Sequence, residues 1–170
     1  MTNALVPLES LNRTIEIAQL SEEPIEQAID VSPNDLQTVA RRLDVPAVLS
    51  LAGTLQAVRH GSLVRLEGKI DATLERMCVV SLEPMTETIS ETFSVDYTTD
   101  PTEAEGDEPD VDLDAPEPLA AETLDLGDVL LEQLVLAMAP HPRREDAKAP
   151  NDPGAGKESS PFDVLKALKG

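Results

Sequence analysis

The apolar positions of this chain change their period several times, and each change marks an element. Residues 11–20 set Ile15 and Ile17 in alternation with polar neighbours, which predicts a short strand ended by Ser21-Glu22-Glu23-Pro24. Ser32-Pro33-Asn34-Asp35 has the chemistry of a helix start. Ser32 can accept from the first free amides, Pro33 suits the first helical position, and Asp35 stands where a capping-box acid would. Leu36, Val39, Ala40 and Leu43 then repeat at helical spacing until Pro46. The pattern predicts an amphipathic helix over 33–44, with Arg41 and Arg42 near the negative end of its dipole.

A period of two returns afterwards. From Ala47 to Arg59, Leu49, Leu51 and Leu55 alternate with other residues and Gly53 interrupts them, which predicts a strand with a bulge. His60-Gly61-Ser62 is a turn, and Val64, Leu66, Ile70, Ala72 and Leu74 share one face of a second long strand, giving an antiparallel hairpin. After Leu82-Glu83-Pro84 a third strand sets Ile89, Phe93, Val95 and Tyr97 against Thr88, Ser90, Thr92, Ser94 and Asp96, the polar set facing water. Residues 98–121 hold prolines, many acids and almost no large apolar side chains. They cannot offset their ordering entropy and are expected to form a mobile acidic insertion.

The strongest helix follows in LDLGDVLLEQLVLAMAP, with Asp125 or Asp128 as cap and Leu126, Val129, Leu130, Leu134, Ala137 and Met138 along one face. Residues 141–159 read as a flexible linker. Ser160 then opens a short C-terminal amphipathic helix over 160–170, with Phe162, Leu165 and Leu168 on one stripe, too short to be stable alone. The expected fold class is α+β: an antiparallel β-meander or open barrel packed with two to three helices, in one domain over 1–140.

Composition adds that the core must be aliphatic, since the 170 residues include no Trp, one Tyr and two Phe. The single cysteine, Cys78, excludes an internal disulfide and fits a reducing compartment. The first residues lack the basic and apolar regions of a signal peptide, and no apolar run approaches the roughly 20 residues that span a bilayer. A cytoplasmic location without membrane contact is expected.

Charge changes the picture most. The net charge is −20, and 17 of the 33 acidic residues fall between Met77 and Pro142, where no Lys or Arg occurs. The other 16 share the rest of the chain with all 13 bases. Such a field draws cationic partners and repels phosphate, whose binding depends on Lys and Arg.

Candidate chemistry is sparse. His60 in its turn and His141 between two prolines read as solvated histidines with no nucleophile to serve. The carboxylates of the acidic run lack the burial that would separate their pKa values, and no glycine-rich phosphate loop is present. Catalytic residues, and hence an enzyme, are not expected. Cys78-Val79-Val80-Ser81 has the spacing of a CxxC knuckle with serine in the second place, but a structural zinc wants four Cys or His ligands. No metal and no cofactor are expected, and Cys78 reads as an apolar residue closing its strand. Arg41, Arg42, Arg59, Arg65, Lys69 and Arg76 form a possible basic patch, though of mixed strand parity and without aromatics to stack on bases.

Several strings in order resemble one family: LEGKIDATLERMCVVSLEP, ISETFSVDY, the acidic gap, LDLGDVLLEQLVLAMAPHPR and SPFDVLKALK. Over about Ile15 to Lys169 the chain resembles the YceD family, named for accumulation of large-subunit ribosomal RNA. Many members carry two cysteines at the CxxC position; here Cys78 stands alone, with Ser81 in the second slot. The resemblance implies a role in producing or stabilising large-subunit (23S) ribosomal RNA, and it carries no catalytic residue onto this sequence.

The expected function is therefore a non-enzymatic ribosome biogenesis factor that binds a basic ribosomal protein or assembly factor. Glu87, Glu91, Glu103, Glu105, Asp107, Glu108, Asp110, Asp112 and Asp114 are the candidate acidic contacts, and Phe162, Leu165 and Leu168 a hydrophobic latch. The alternative is a module binding ribosomal RNA directly through Arg41, Arg42 and Arg59.

Overall fold

The computed structural model describes residues 8–100 and 115–147. In chain order its elements are β1 (Thr14–Glu16), a 3-10 turn (Ile17–Gln19), β2 (Ile25–Asp30), α1 (Pro33–Leu43), β3 (Ala47–His60), β4 (Leu63–Met77), β5 (Pro84–Thr98), β6 (Glu117–Pro118), β7 (Thr123–Asp125) and α2 (Leu126–Ala137). Strands β2 to β5 pair antiparallel in sequence order, and β6 joins β5 in parallel, so the sheet is mixed. The fold is mostly sheet with two helices among the described residues, which agrees with α+β. The sheet is a meander and does not close into a barrel; β1 and β7 form a separate two-stranded pair.

One face of the large sheet is buried. Val64, Leu66, Ile70, Ala72 and Leu74 of β4 are at most 2% exposed, as their alternation predicts. Helix α2 packs on this face through Leu126, Leu130 and Leu134, all fully buried. Asp125, rather than Asp128, is its cap, accepting from the amides of Gly127 (2.9 Å) and Asp128 (3.3 Å). A side chain at Gly127 would meet the backbone of Leu11, so glycine lets the N-terminal segment cross the start of α2 in contact with it. The opposite face of the sheet is open and hydroxyl-rich.

The structure departs from the sequence reading at four places. The expected strand at 11–20 is only three residues long and gives way to a 3-10 turn at Ile17. β2, whose Ile25, Gln27 and Ile29 alternate, is a further strand that forms the edge of the sheet. The irregularity in β3 falls between Val48 and Ser50, not at Gly53, and it turns Leu49 outward to 51% exposure. The ends of the expected 98–121 insertion are placed: Glu117 and Pro118 pair with Tyr97 and Thr98, and the Leu119 amide donates to the Thr98 carbonyl at 2.8 Å. Residues 101–114 of that insertion lie outside the described residues, as does the predicted helix over 160–170.

Helix α1 starts as predicted. Ser32 accepts from the Asp35 amide at 3.3 Å, and the Asp35 carboxylate accepts from the Ser10 amide at 2.9 Å and from the hydroxyls of Ser10 and Ser32. These bonds, led by the Ser10 hydroxyl, hold the Asp35 carboxyl below the usual carboxylate range. A carboxyl lowered in the folded state stabilises the fold above its unfolded pKa of about 4, and that contribution disappears as pH falls through the folded value. Asp35→Asn is expected to make the acid limb of stability shallower, measured as denaturant midpoints between pH 6 and pH 2. An unchanged limb would remove Asp35 from the acid response.

Candidate binding surfaces

Of the proposed acidic contacts, the described residues include Glu87 and Glu91, on one parity of β5. Glu91 is exposed, opposite Ile70 of β4. Glu87 is engaged within the molecule. One of its oxygens accepts from Arg76 Nη1 at 2.7 Å and the other from the Ala139 amide at 2.7 Å, while Arg76 Nη2 donates to the Ala139 carbonyl at 3.2 Å. Both side chains are only 13% exposed. This four-group clamp fastens the chain leaving α2 to the far end of β4 and β5. Glu103, Glu105, Asp107, Glu108, Asp110, Asp112, Asp114, Phe162, Leu165 and Leu168 lie outside the described residues.

The cations are largely occupied by acids. Arg65 grips Asp96 with two bonds of 2.8 Å, and that bond and charge hold the Asp96 carboxyl below its usual range. Lys69 lies 2.8 Å from Asp71, and Arg144 lies 2.8 Å from both Glu83 and Asp146. Arg59 donates to the carbonyls of Gly61 (2.8 Å) and Ile17 (3.1 Å), so it ties the β3–β4 turn to the N-terminal segment. Arg41 bonds Gln37 and Thr38 of its own helix at 3.3 Å, and Arg42 is exposed beside it. The structure does not bring the three candidate RNA-binding arginines together. Arg41 and Arg42 precede the start of β3 and Arg59 is near its other end, roughly 40 Å away along the strand.

Two of the strings that carry the family resemblance, the one ending at Cys78–Pro84 and the one ending at Pro142–Arg143, meet in space. Between β4 and β5, the Cys78–Glu83 turn lies against residues 142–144, which the sequence reading assigned to a flexible linker. The Val79 amide donates to the Pro142 carbonyl at 2.9 Å, and the amides of Ser81 (3.4 Å) and Arg144 (3.5 Å) point at the Cys78 sulfur. Cys78 is fully buried. Its thiol is pulled down to about 6, first by Ser81 through its hydroxyl and amide and then by the Arg144 amide, with burial opposing. The Ser81 hydroxyl is buried, and apart from its pull on the sulfur it has no hydrogen-bond partner among the described residues. No signal in the local sequence marks the Arg76–Glu87 pair or the 142–144 contact, because their partners lie 11 to 66 residues apart.

His60 is exposed with Nδ1 at 3.9 Å from Glu22, and His141 is exposed. Among the described residues no three His, Cys, Asp or Glu side chains gather as metal ligands would, and no helix is long and apolar enough to cross a membrane. Exposed apolar side chains include Met77 at the end of β4, Val79 and Leu82 on the β4–β5 turn, and Val135 and Leu136 on the last turn of α2. A family model described as "Large ribosomal RNA subunit accumulation protein YceD" matches residues 66–169, the stretch containing the clamp and the Cys78 turn. No curated protein and no solved structure matches the chain.

Proposed function

The chain belongs to the YceD family of large ribosomal RNA subunit accumulation proteins, and from that premise we propose that it acts by binding a protein rather than by catalysis. The partner is a basic ribosomal protein or ribosome assembly factor, met in the cytoplasm, and binding it supports the accumulation of large-subunit ribosomal RNA. The observation that carries this reading is the distribution of charge. Seventeen acids without a Lys or Arg occupy Met77 to Pro142, while four of the cations on and after β4 are already paired with acids. A surface so composed attracts cations and leaves little to hold phosphate.

Within this reading the clamp makes Glu87 structural, so recruitment falls to exposed acids such as Glu91 and to the acidic run at 103–114, with Phe162, Leu165 and Leu168 as the latch. The RNA-binding alternative through Arg41, Arg42 and Arg59 loses support from the distance between them.

The test is recovery of tagged protein from its native cell with and without nuclease, at rising salt. A basic protein that stays bound after nuclease and leaves as salt rises is the expected result. Loss of all partners on nuclease treatment would favour RNA, and binding indifferent to salt would remove charge from the mechanism.

A further inference from the structure

The open face of the sheet holds a groove of about 680 Å³ that no function above uses. Register fixes its centre. Asp30 of β2 stands opposite Ala52 of β3, and Ala52 opposite Asp71 of β4. Neighbouring strands are about 4.8 Å apart, so the backbones of two aspartates on the same face lie roughly 10 Å apart with only an alanine between them. Leu36 of α1 and Leu49, turned outward by the β3 irregularity, line the same groove. A large leucine half exposed at a bulge, beside two acids and a small floor, makes a slot with an apolar wall and anionic sides.

The two acids are differently held. Asp71 accepts from Ser90 Oγ of β5 at 2.6 Å and from Lys69 at 2.8 Å, and both Asp71 and Ser90 line the groove. Asp30 is exposed and has no hydrogen-bond or ion-pair partner among the described residues. Its strand is the sheet edge. The Val31 amide bonds the Leu51 carbonyl, so by antiparallel alternation the N–H and C=O groups of Ala28 and Asp30 point away from the sheet. An extended chain can pair with them while its side chain enters the slot.

We propose that this slot is a binding site for one arginine or lysine side chain of an extended basic peptide. The aliphatic stem lies on Leu36 and Leu49, and the charged head sits over Ala52 between Asp30 and Asp71. This deepens the reading of a basic partner by giving it a seat whose two acids, Asp30 and Asp71, lie outside the acidic stretch at 77–142.

The probe is a fluorescein-labelled ten-residue peptide of alternating arginine and valine, read by anisotropy against the full chain at low salt. Asp30→Asn and Asp71→Asn are each expected to weaken binding about fivefold, the scale of an exposed ion pair. Ala52→Leu fills the slot without changing charge and is expected to weaken it at least as much. Glu67→Gln, on the same face but outside the groove, is expected to leave it unchanged. Binding by Ala52→Leu as tight as the parent, or a Glu67→Gln loss equal to that of Asp30→Asn, would overturn the slot. Should Ala52→Leu fail to fold, the contrast of Asp30→Asn with Glu67→Gln still decides. A nuclease-treated recovery without any basic protein would sink the proposed function while leaving this measurement standing.

Discussion

Glu87→Ala is expected to destabilise the protein by about 3 kcal/mol, the scale of removing one partner from a buried ion pair. The Arg76 guanidinium would keep its place against the Ala139 carbonyl with its counter-charge gone, and the Ala139 amide would lose its acceptor. At this chain length the loss corresponds to a fall in Tm of roughly 6–12 °C. Thermal unfolding checks the size, and amide hydrogen exchange checks the place, since opening should spread from the Ala139 end of α2 towards residues 142–144. A double replacement, Arg76→Met with Glu87→Leu, removes both charges together and should cost less than the sum of the single changes. A loss under about 0.5 kcal/mol, typical of an exposed site, would mean the clamp is solvated in solution. That outcome would return Glu87 to the set of acids available to a partner.

Leu130→Ala carries the second large effect, about 3–4 kcal/mol, from lost apolar burial and the cavity left behind. Leu130 is fully buried, and a Cβ added at Gly53 would stand 2.5 Å from its Cδ1. Glycine at 53 therefore leaves the room that the Leu130 side chain fills against β3, and Gly53→Ala alone should cost about 1 kcal/mol by overpacking, the low end of that effect because the end of a side chain must give. Combining the two changes gives a sharper result: the alanine methyl at 53 partly fills the space vacated at 130. The double variant should then be more stable than additivity allows, measured by denaturant unfolding. Strict additivity would show that the two positions do not touch.

The candidate surfaces were legible in unequal measure. The charge asymmetry is a property of composition and needs no fold to be seen. The open face of β5 was equally plain, because Thr88, Ser90, Thr92 and Ser94 alternate with Ile89, Phe93 and Val95. Glu87 is held by Arg76 and the Ala139 amide, and an acid on a strand carries no local mark of such partners. Arg41 and Arg42 are separated from Arg59 by most of the length of β3, which no local pattern reveals. β2 escaped notice because a six-residue run with Glu, Gln and Asp among its apolar residues is a weak strand signal until a neighbour pairs with it.

What the sequence alone determined is what depends on neighbours a few residues apart: the start and cap of α1, the buried parity of β4, and an acidic middle without counter-cations. Tertiary structure alone decided the register that sets Asp30, Ala52 and Asp71 in one row, and the reversal of parity that exposes Leu49. It alone also decided the closure of Glu87 and Arg76 on Ala139. The physical reason is that period and capping are short-range, whereas register and burial come from pairing and packing between segments far apart in the chain.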